Sequence, residues 1–596
     1  MRTSLALALL PLAAALPRDQ GCSSATKETA YDYVVVGGGT SGLVVAKRLS
    51  EDLSVSVLVI EAGDSVFNNV NVTNPNGYGL AFGTEIDYAY QTVNQTYGGG
   101  LIQTMRAGKA LGGTSTINGM AYTRAEISQI DAWEQVGNDG WNWDSLFPYY
   151  LKSEHFQVPD EERTVAAHLP FDKELHGLNG PLKTGWNYEQ TNSSLTSTIN
   201  STFKAIGVPY NPDVNGGNMV GFSLYPFTTD STLHVREDAA RAYYFPYQNQ
   251  TNLKVLLNTK ANKITWSQNS KQNAATAEGV EITSSDGTTS VVKANKEVIL
   301  SAGSLASPLL LELSGIGNPA VLSKYDIETV VDLPTVGENL QDQMNNGLSF
   351  NAANGFSLAD KTSYIAYPSV SHIYGNETLL VAENIKASLP EYAAQVAAVN
   401  GNVTRASDLL EFFQMQWDLI FTSQVPIAEV LVYIVNGVWT TEYWALLPFA
   451  RGSIHIGSDS TANAVINPNY FMLDWDLQEQ AQTARFIRKM YATAPLAGMV
   501  LDETRPGLDT VSAAADDAEW AAWLKSAYRS NFHPVGTAAM MPKEKGGVVD
   551  ANLKVYGTSN VRVIDASVMP FQVCGHLVST LYAIAERAAD LIKKSA

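Results

Sequence analysis

Two short runs of apolar residues near the start of the chain flank a segment whose apolar residues recur with helical spacing. The first run covers 33–36 and ends at a glycine-rich turn, after which 43–49 has the helical spacing. The second run, 55–60, ends at Glu61. A strand, a helix and a second strand in this order predict parallel strands joined by a crossover helix, which is an α/β arrangement.

Further apolar patterns predict related elements later in the chain. The segment 296–303 (KEVILSAG) predicts a strand that leads through a glycine-rich loop into a helix, and 560–565 predicts another strand. The segment 407–421 (SDLLEFFQMQWDLIF) has the apolar spacing of a helix. A long amphipathic helix is predicted after His576, and no internal repeat is visible. The apolar face of that helix comprises Leu581, Ile584, Ala588 and Leu591.

The glycine-rich turn has the spacing Gly37-x-Gly39-x-x-Gly42. In a dinucleotide-binding turn the first glycine allows the tight turn, the second lets the backbone approach a pyrophosphate, and the third lets the helix pack on the strand. The free N–H groups at the start of the helix then bind the phosphates. Glu61 stands where an acid accepts hydrogen bonds from the adenosine ribose. The segment therefore predicts dinucleotide binding and leaves NAD and FAD open.

Length and charge narrow the class of protein. A chain of 596 residues exceeds the size at which one hydrophobic core keeps growing, so we expect two domains. The net charge of −20 repels nucleic acid and anionic membranes and favours a small neutral substrate. The sequence contains no G-x-S-x-G, H-E-x-x-H or C-x-x-C motif, so we expect neither a hydrolase site nor a metal site.

The first 15 residues predict export from the cell. One arginine, an apolar run and three consecutive alanines have the layout of a secretory signal peptide, covering 1–15, and the run is too short to span a membrane. Outside the cell a dissociable nicotinamide would be lost by dilution, which favours a tightly held flavin. Cys22 and Cys574 are expected to be unpaired. Seven sequons predict glycosylation at Asn71, Asn94, Asn192, Asn200, Asn249, Asn376 and Asn402.

Taken together, these motifs resemble the glucose–methanol–choline (GMC) flavoprotein oxidoreductases. The resemblance rests on the glycine turn, on GKALGGTSTINGMAYTR at 108–124 and on GSLASPLLLELSGIG at 303–317, and it covers essentially the whole mature chain. Within the family, RSNFHPVGTAAMMP at 529–542 and SVMPFQVCGHLVSTLYA at 567–583 are most similar to fungal FAD-dependent glucose dehydrogenases, and glucose oxidases come next. Glucose oxidases of this type usually carry a disulfide in the substrate domain, for which this sequence lacks the cysteines.

The resemblance implies FAD as the cofactor and an α/β architecture of two interleaved domains. A Rossmann-like FAD-binding domain would be built from 28–125, 255–345 and 530–596. A substrate-binding domain with a large antiparallel sheet covered by helices would take 126–254 and 346–529. The cofactor-binding positions that the resemblance implies are Gly37, Gly39, Thr40, Ser41, Gly42, Glu61, Thr114, Asn118, Gly119, Met120, Ala261, Asp565, Ala566, Leu577 and Val578.

Two of the eight histidines are the candidate catalytic residues. Oxidising an alcohol through a flavin moves a hydride to the ring and a proton to a base, and a neutral imidazole suits that base. By resemblance His533 accepts the proton of the anomeric hydroxyl. His576 holds the substrate oxygen and helps to place positive charge near the reduced flavin.

Four further residues complete the predicted site by resemblance. Glu429 matches a carboxylate that orients the second histidine, and we group it with the substrate-binding residues. Arg529 and Asn531 alternate with His533, so in an extended segment all three would share one face. These two and Tyr78 resemble the groups that bind the sugar in glucose dehydrogenases.

The resemblance implies oxidation of D-glucose to glucono-1,5-lactone, with electrons passed to a quinone or dye. The alternatives are a glucose oxidase that uses oxygen, another alcohol oxidase of the family such as an aryl-alcohol oxidase, and a catalytically silent flavin-binding protein. The silent protein would lack a base, whereas both histidines are present.

Overall fold

The computed structural model describes residues 30–187, 194–267, 274–353 and 363–595. The predicted signal peptide 1–15, Cys22 and the sequon at Asn192 lie outside these ranges. Within them, two seven-stranded sheets organise the molecule. The longer α-helices are Thr40–Leu49, Ile127–Gln135, Trp143–Ser153, Ser194–Ala205, Thr378–Val399, Ala406–Trp417, Asp474–Tyr491, Asp517–Ala527 and Leu577–Ser595. The shorter ones are Val70–Thr73, Glu161–Ala167, Ala239–Tyr243, Ser307–Leu313, Pro319–Leu322 and Val370–Tyr374.

The first sheet combines a parallel part with an antiparallel extension. The parallel part includes the predicted strand, turn, helix and strand near the start of the chain, which confirms that prediction. Its central strands are apolar at nearly every position because helices cover both faces of a parallel sheet. The order across the sheet is Leu253–Leu256, Val57–Ile60, Ala30–Val36, Thr289–Leu300, Ala277–Thr283 and Lys260–Trp266, and Val561–Val563 also pairs with Thr289–Leu300.

The helix Thr40–Leu49 packs against the C-terminal helix Leu577–Ser595, so the first crossover is covered by the end of the chain. Ile584 and Ala588 of the predicted apolar face are fully buried, whereas Leu581 and Leu591 at its margins are half-buried. The predicted C-terminal helix is therefore confirmed.

The second sheet is antiparallel throughout, as the α/β reading with an antiparallel substrate domain predicts. Its central hairpin turns at Asn436-Gly437, where both residues have positive φ, of 52° and 80°. An Asn-Gly pair adopts this type of two-residue turn readily, so the turn fixes the register of the two strands beside it. The order is Val500–Arg505, Met344–Ala352, Val438–Ala445, Ala428–Val435, Tyr364–Tyr367 and Gly221–Ser223, and Arg529–Ser530 pairs with Met344–Ala352.

Three predicted domain boundaries fall inside strands. Leu253–Leu256 lies parallel to Val57–Ile60 in the first sheet, so the boundary placed between residues 254 and 255 divides an element of that sheet. The boundaries placed between 345 and 346 and between 529 and 530 divide Met344–Ala352 and Arg529–Ser530, which pair with each other in the second sheet. The remaining domain bounds stay predictions.

Two surface features bear on the predicted export. Among the described residues, no helix has both the length and the apolarity needed to cross a membrane. Of the sequons in the described ranges, Asn71 and Asn200 are half-buried, and the others are exposed, namely Asn94, Asn249, Asn376 and Asn402.

Candidate active site

A cavity of about 1320 Å³ is lined by residues of both sheets, for example Val36 of the first and Trp444 of the second. All of the predicted site residues line it except Gly42 and Glu429. Segments hundreds of residues apart in the sequence therefore meet at one cavity.

At the glycine turn, backbone crowding explains two of the three glycines. Gly37 has a φ of +104°, and a Cβ atom there would lie 2.3 Å from the carbonyl oxygen of Ser301. At Gly42 it would lie 2.0 Å from the carbonyl oxygen of Gly37, so Gly42 packs the helix on the strand instead of lining the cavity. A Cβ at Gly39 would come no closer than 3.7 Å to another heavy atom, which leaves the backbone open to the cavity.

The helix that follows the turn offers an anion-binding end. No side chain caps the N-terminus of Thr40–Leu49, where Thr40 and Ser41 line the cavity. The buried hydroxyl oxygens of Ser41 and Ser301 have no hydrogen-bond partner among the described residues. Because buried polar groups normally have a partner, these hydroxyls and the uncapped helix fit a bound pyrophosphate.

Glu61 lies buried at the end of the second strand. Its carboxylate accepts hydrogen bonds from the backbone N–H groups of Gly38 at 2.8 Å and Gly63 at 2.7 Å. Burial raises the pKa of Glu61 to about 7. Each carboxylate oxygen keeps a further lone pair, which suits the hydroxyl groups of an adenosine ribose.

The second glycine-rich loop is held from behind by a buried arginine. The side-chain oxygen of Asn118 accepts hydrogen bonds from Nη1 of Arg236 at 2.7 Å and from the backbone N–H of Met120 at 3.1 Å. Met120 has a φ of +63°, and a Cβ added at Gly119 would meet only the Tyr78 ring, at 3.9 Å. The loop is thus a fixed backbone surface with room beside it for a flat ring.

Asp565 joins two loops at the cavity. Its carboxylate accepts hydrogen bonds from the backbone N–H groups of Gly303 at 2.9 Å and Ser567 at 2.8 Å. The remaining predicted cofactor residues line the cavity beside these loops: Thr114, Ala261, Ala566, Leu577 and Val578.

His533 is held by amide groups. Its Nδ1 lies 2.8 Å from Oε1 of Gln343 and 3.1 Å from Nδ2 of Asn531. Among the described residues, none forms a hydrogen bond with Nε2 of His533. Burial, together with the nearby His576 and Arg529, lowers the pKa of His533 well below the ordinary value for histidine. The ring is therefore neutral at neutral pH, as a proton acceptor must be.

His576 is held by a carboxylate instead. Its Nε2 lies 2.9 Å from Oε1 of Glu429, and its backbone N–H donates to Oγ1 of Thr123 at 2.9 Å. Glu429 is fully buried behind the ring and also accepts a hydrogen bond from the hydroxyl of Tyr367 at 3.0 Å. Unlike the other residues predicted to bind substrate, Glu429 does not line the cavity, and it contacts His576 instead.

The two histidine rings are neighbours and nearly perpendicular. Their centroids are 5.6 Å apart with an interplanar angle of 87°, and Trp444 packs edge-on against both. Because His533 is tied through Nδ1 and His576 through Nε2, the rings leave opposite nitrogens available.

The polar side of the cavity is organised by Glu442. Its Oε2 accepts hydrogen bonds from Arg529 at 2.8 Å and from Nδ2 of Asn345 at 3.3 Å, and its Oε1 accepts one from the hydroxyl of Tyr433 at 3.1 Å. Asn345 also donates to Oδ1 of Asn531 at 3.0 Å. Hydrogen-bonded charged and amide groups therefore form a continuous chain from Arg529 to Asn531, which lies beside His533.

The segment that carries His533 is not extended throughout, contrary to the sequence-based expectation. Phe532 has a φ of +62°, and its backbone N–H donates to Oγ of Ser530 at 2.9 Å. This local turn replaces strand geometry after Ser530. Arg529, Asn531 and His533 still line the cavity together.

Sequence analysis did not identify Gln343, Asn345 or Glu442. Their partners are distant in the sequence: Gln343 is 190 residues from His533, and Glu442 is 87 residues from Arg529. The available signal was a single charged residue, Glu442, within the strand Val438–Ala445, whose other residues are apolar, aromatic or threonine.

Comparisons with known proteins agree with this geometry. Models of the GMC oxidoreductase family match residues 31–345 and 448–585. A glucose oxidase-like protein, fsoC, from Humicola fuscoatra is 42% identical over 590 residues, covering 98% of this chain and 99% of that protein. Glucose oxidase from Aspergillus carbonarius is 35% identical, covering 99% of each chain.

A solved structure extends the likeness to three dimensions. An FAD-dependent oxidoreductase from Chaetomium thermophilum superposes with a TM-score of 0.86 at 27% identity, covering 95% of this chain and 99% of that one. The glycine turn, the uncapped helix, Glu61 and the second loop fit FAD, which the family uses. The chain therefore belongs to the GMC oxidoreductase family, and its cofactor is FAD.

Proposed function

We propose that the protein oxidises D-glucose at its anomeric carbon to glucono-1,5-lactone and passes the electrons to a quinone or dye-type acceptor. The observation that carries the proposal is the pair of histidines beside a polar wall of the cavity. This polar wall contains Arg529, Asn531 and Tyr78.

The proton of the anomeric hydroxyl passes to Nε2 of His533. This nitrogen is the available one because Nδ1 faces Gln343, and the lowered pKa keeps the ring neutral before the reaction. Bound FAD supplies the acceptor for the hydride that leaves the anomeric carbon. Loss of that hydride and of the hydroxyl proton together converts the hemiacetal to the lactone.

His576 positions the oxygen that becomes the carbonyl oxygen of the lactone. The hydrogen bond between Nε2 and Glu429 fixes the ring and directs Nδ1 away from the carboxylate. His576 is thereby held in one orientation beside the cavity.

A neutral polyol suits the polar wall. Arg529 and Asn531 supply donors, the phenol of Tyr78 supplies a flat face and a hydroxyl, and Glu442 supplies acceptors. A site built on such hydrogen bonds rejects an analogue that lacks the matching hydroxyl, because buried polar groups are then left unpaired. This favours a sugar over an aryl alcohol.

The choice of acceptor separates the proposal from its alternative. Motif similarity and the absence of cysteines for the usual disulfide favour a dehydrogenase. The names of the two relatives, both from the glucose oxidase group, favour an oxidase that uses oxygen.

Parallel assays of the purified protein test the proposal. We expect glucose to reduce a quinone or dye rapidly and to produce little hydrogen peroxide in air. Peroxide production as fast as dye reduction would establish the oxidase. Oxidation of benzyl alcohol but not of glucose would overturn the sugar assignment. A protein without flavin absorbance would overturn the proposal that the protein is a flavin-dependent enzyme.

We also propose that the protein is secreted and glycosylated, which the predicted signal peptide and the six sequons in the described ranges support. The N-terminal sequence of protein collected from the medium should begin after residue 15. Treatment with an N-glycosidase should lower its apparent mass, and an unchanged mass would contradict glycosylation.

A further inference from the structure

We propose that Gln343 is a positioning residue that selects the tautomer of His533, by accepting a hydrogen bond from Nδ1–H and so leaving Nε2 unprotonated toward the cavity. The inference rests on the proposed role of His533 as the base. It adds a residue that neither the sequence motifs nor the comparisons assign.

The amide of Gln343 is oriented by a group other than His533. Gln343 is fully buried, and its Nε2 donates to the backbone carbonyl oxygen of Leu446 at 3.2 Å. A carbonyl oxygen can only accept, so the NH₂ end of the amide faces Leu446 and the oxygen end faces His533. Oε1 of Gln343 then lies 2.8 Å from Nδ1 of His533, which makes Nδ1 the donor in that contact.

A second amide opposes this choice. Nδ2 of Asn531 lies 3.1 Å from the same Nδ1, and Oδ1 of Asn531 is occupied by a hydrogen bond from Asn345. The amide of Asn345 is oriented in turn by the Glu442 carboxylate, which can only accept. Asn531 therefore presents a donor to Nδ1, and the two amides favour opposite tautomers of His533.

The contact with Gln343 is the stronger of the two. It is 0.3 Å shorter, and an unprotonated Nδ1 would place its lone pair against the lone pairs of Oε1 at 2.8 Å. With Nδ1 protonated, its single hydrogen is directed at Oε1 of Gln343, and the remaining conflict with the NH₂ group of Asn531 is weaker because that contact is longer, at 3.1 Å. Gln343 thus determines which nitrogen of His533 carries the proton.

The backbone around Gln343 keeps this geometry fixed. The carboxylate of Asp342 accepts the backbone N–H of His533 at 2.9 Å, and the carbonyl oxygen of Gln343 accepts that of Asn531 at 2.9 Å. The positive φ of Phe532 lets the segment turn around these two residues. The ring of His533 and the amide of Gln343 are therefore parts of one rigid unit.

Two substitutions at one position test the inference. Gln343→Met keeps the length of the side chain and removes the acceptor, so Asn531 should then favour the Nε2–H tautomer, which cannot accept a proton. We expect kcat with glucose and a dye to fall about 10- to 100-fold, with KM changed less than about threefold. Gln343→Glu keeps an acceptor, so turnover should largely recover at higher pH, and the acid limb of kcat/KM should shift to higher pH.

Histidine NMR provides a readout that does not require turnover. In protein labelled with ¹⁵N-histidine, the signals missing from His533→Ala identify His533. We expect its Nδ1 to be protonated in the native protein and its Nε2 to be protonated in Gln343→Met. The control is Gln416→Met, which removes another buried glutamine that hydrogen-bonds backbone carbonyls and contacts neither histidine.

The outcomes distinguish failure of the role proposed for Gln343 from failure of the role proposed for His533. A folded, FAD-loaded Gln343→Met with kcat within threefold of the native enzyme, or with an unchanged His533 tautomer, overturns the role of Gln343. Equal losses in Gln343→Met and Gln343→Glu, with no shift of the pH profile, reduce Gln343 to a structural residue and also overturn it. If His533→Ala itself retains activity, it is the proposed base that fails.

Discussion

The two active-site histidines are the same residue in contrasting surroundings. His533 is half-buried among neutral amides and lies near the positive charge of Arg529, and its pKa is lowered. Nε2 of His576 lies 2.9 Å from the buried carboxylate of Glu429. Amides fix a tautomer without adding charge, whereas a carboxylate fixes the ring and places a negative charge beside it. The difference supports the proposed division of roles, with proton acceptance by His533 and oxygen binding by His576.

The largest expected effect is the loss of the neutral histidine. His533→Ala should lower kcat with glucose by about 10²- to 10⁴-fold, the usual contribution of a general base, while FAD stays bound. Steady-state dye reduction measures the loss, and flavin absorbance with a thermal melt checks the fold. The exposed His155 provides a control, since His155→Ala should leave turnover unchanged. Near-native activity in His533→Ala would contradict the role of His533 as the base, and with it the proposed difference in role between the two histidines.

A double substitution sharpens the division of roles. His576→Ala should also be severely impaired, but the double variant His533→Ala/His576→Ala should be only slightly slower than the worse single variant. Residues that serve one transition state are strongly non-additive. Losses that multiply fully in the double variant would show that the histidines act in independent steps.

Glu429→Gln should have a smaller effect, because it keeps the shape of the partner and removes its charge. A charge-assisted hydrogen bond exceeds a neutral one by about 1–2 kcal/mol, so kcat should fall about 10-fold. The titration of His533 should be unaffected, so the acid limb of the kcat/KM profile should stay at the same pH. A shift of that limb as large as the one expected for Gln343→Glu would mean that the carboxylate acts on both rings.

The smallest effect concerns pH. Because the pKa of His533 is lowered, the ring stays neutral below pH 6.5, and kcat/KM should fall only at lower pH as His533 becomes protonated. Arg529→Gln removes a positive charge that helps to lower this pKa, so the acid limb should move to higher pH. Its position is read from kcat/KM across pH, independently of any rise in KM. A limb that moves to lower pH would contradict the assignment.

Local patterns made the cofactor-binding part of the fold predictable from the sequence. The turn at Gly37 and the helix after it depend on neighbouring residues, and Gly37 and Gly42 have the steric reasons that their spacing indicates. Gln343 and Glu442 were not predictable, because their contacts with His533 and Arg529 join segments 190 and 87 residues apart in the chain. The turn at Phe532 was also missed, since a positive φ at an aromatic residue has no sequence signal.

The strand Val561–Val563 has a consequence for biogenesis. It pairs with Thr289–Leu300, which in turn pairs with Ala30–Val36, so the first sheet closes only when the end of the chain has been made. At about 5–20 residues per second, a ribosome needs about 13 to 52 s to synthesise the roughly 260 residues between Leu300 and Val561. During that time the unpaired edge of Thr289–Leu300 can pair with other chains. Chaperone supply during synthesis, more than final stability, should therefore limit the yield of this enzyme.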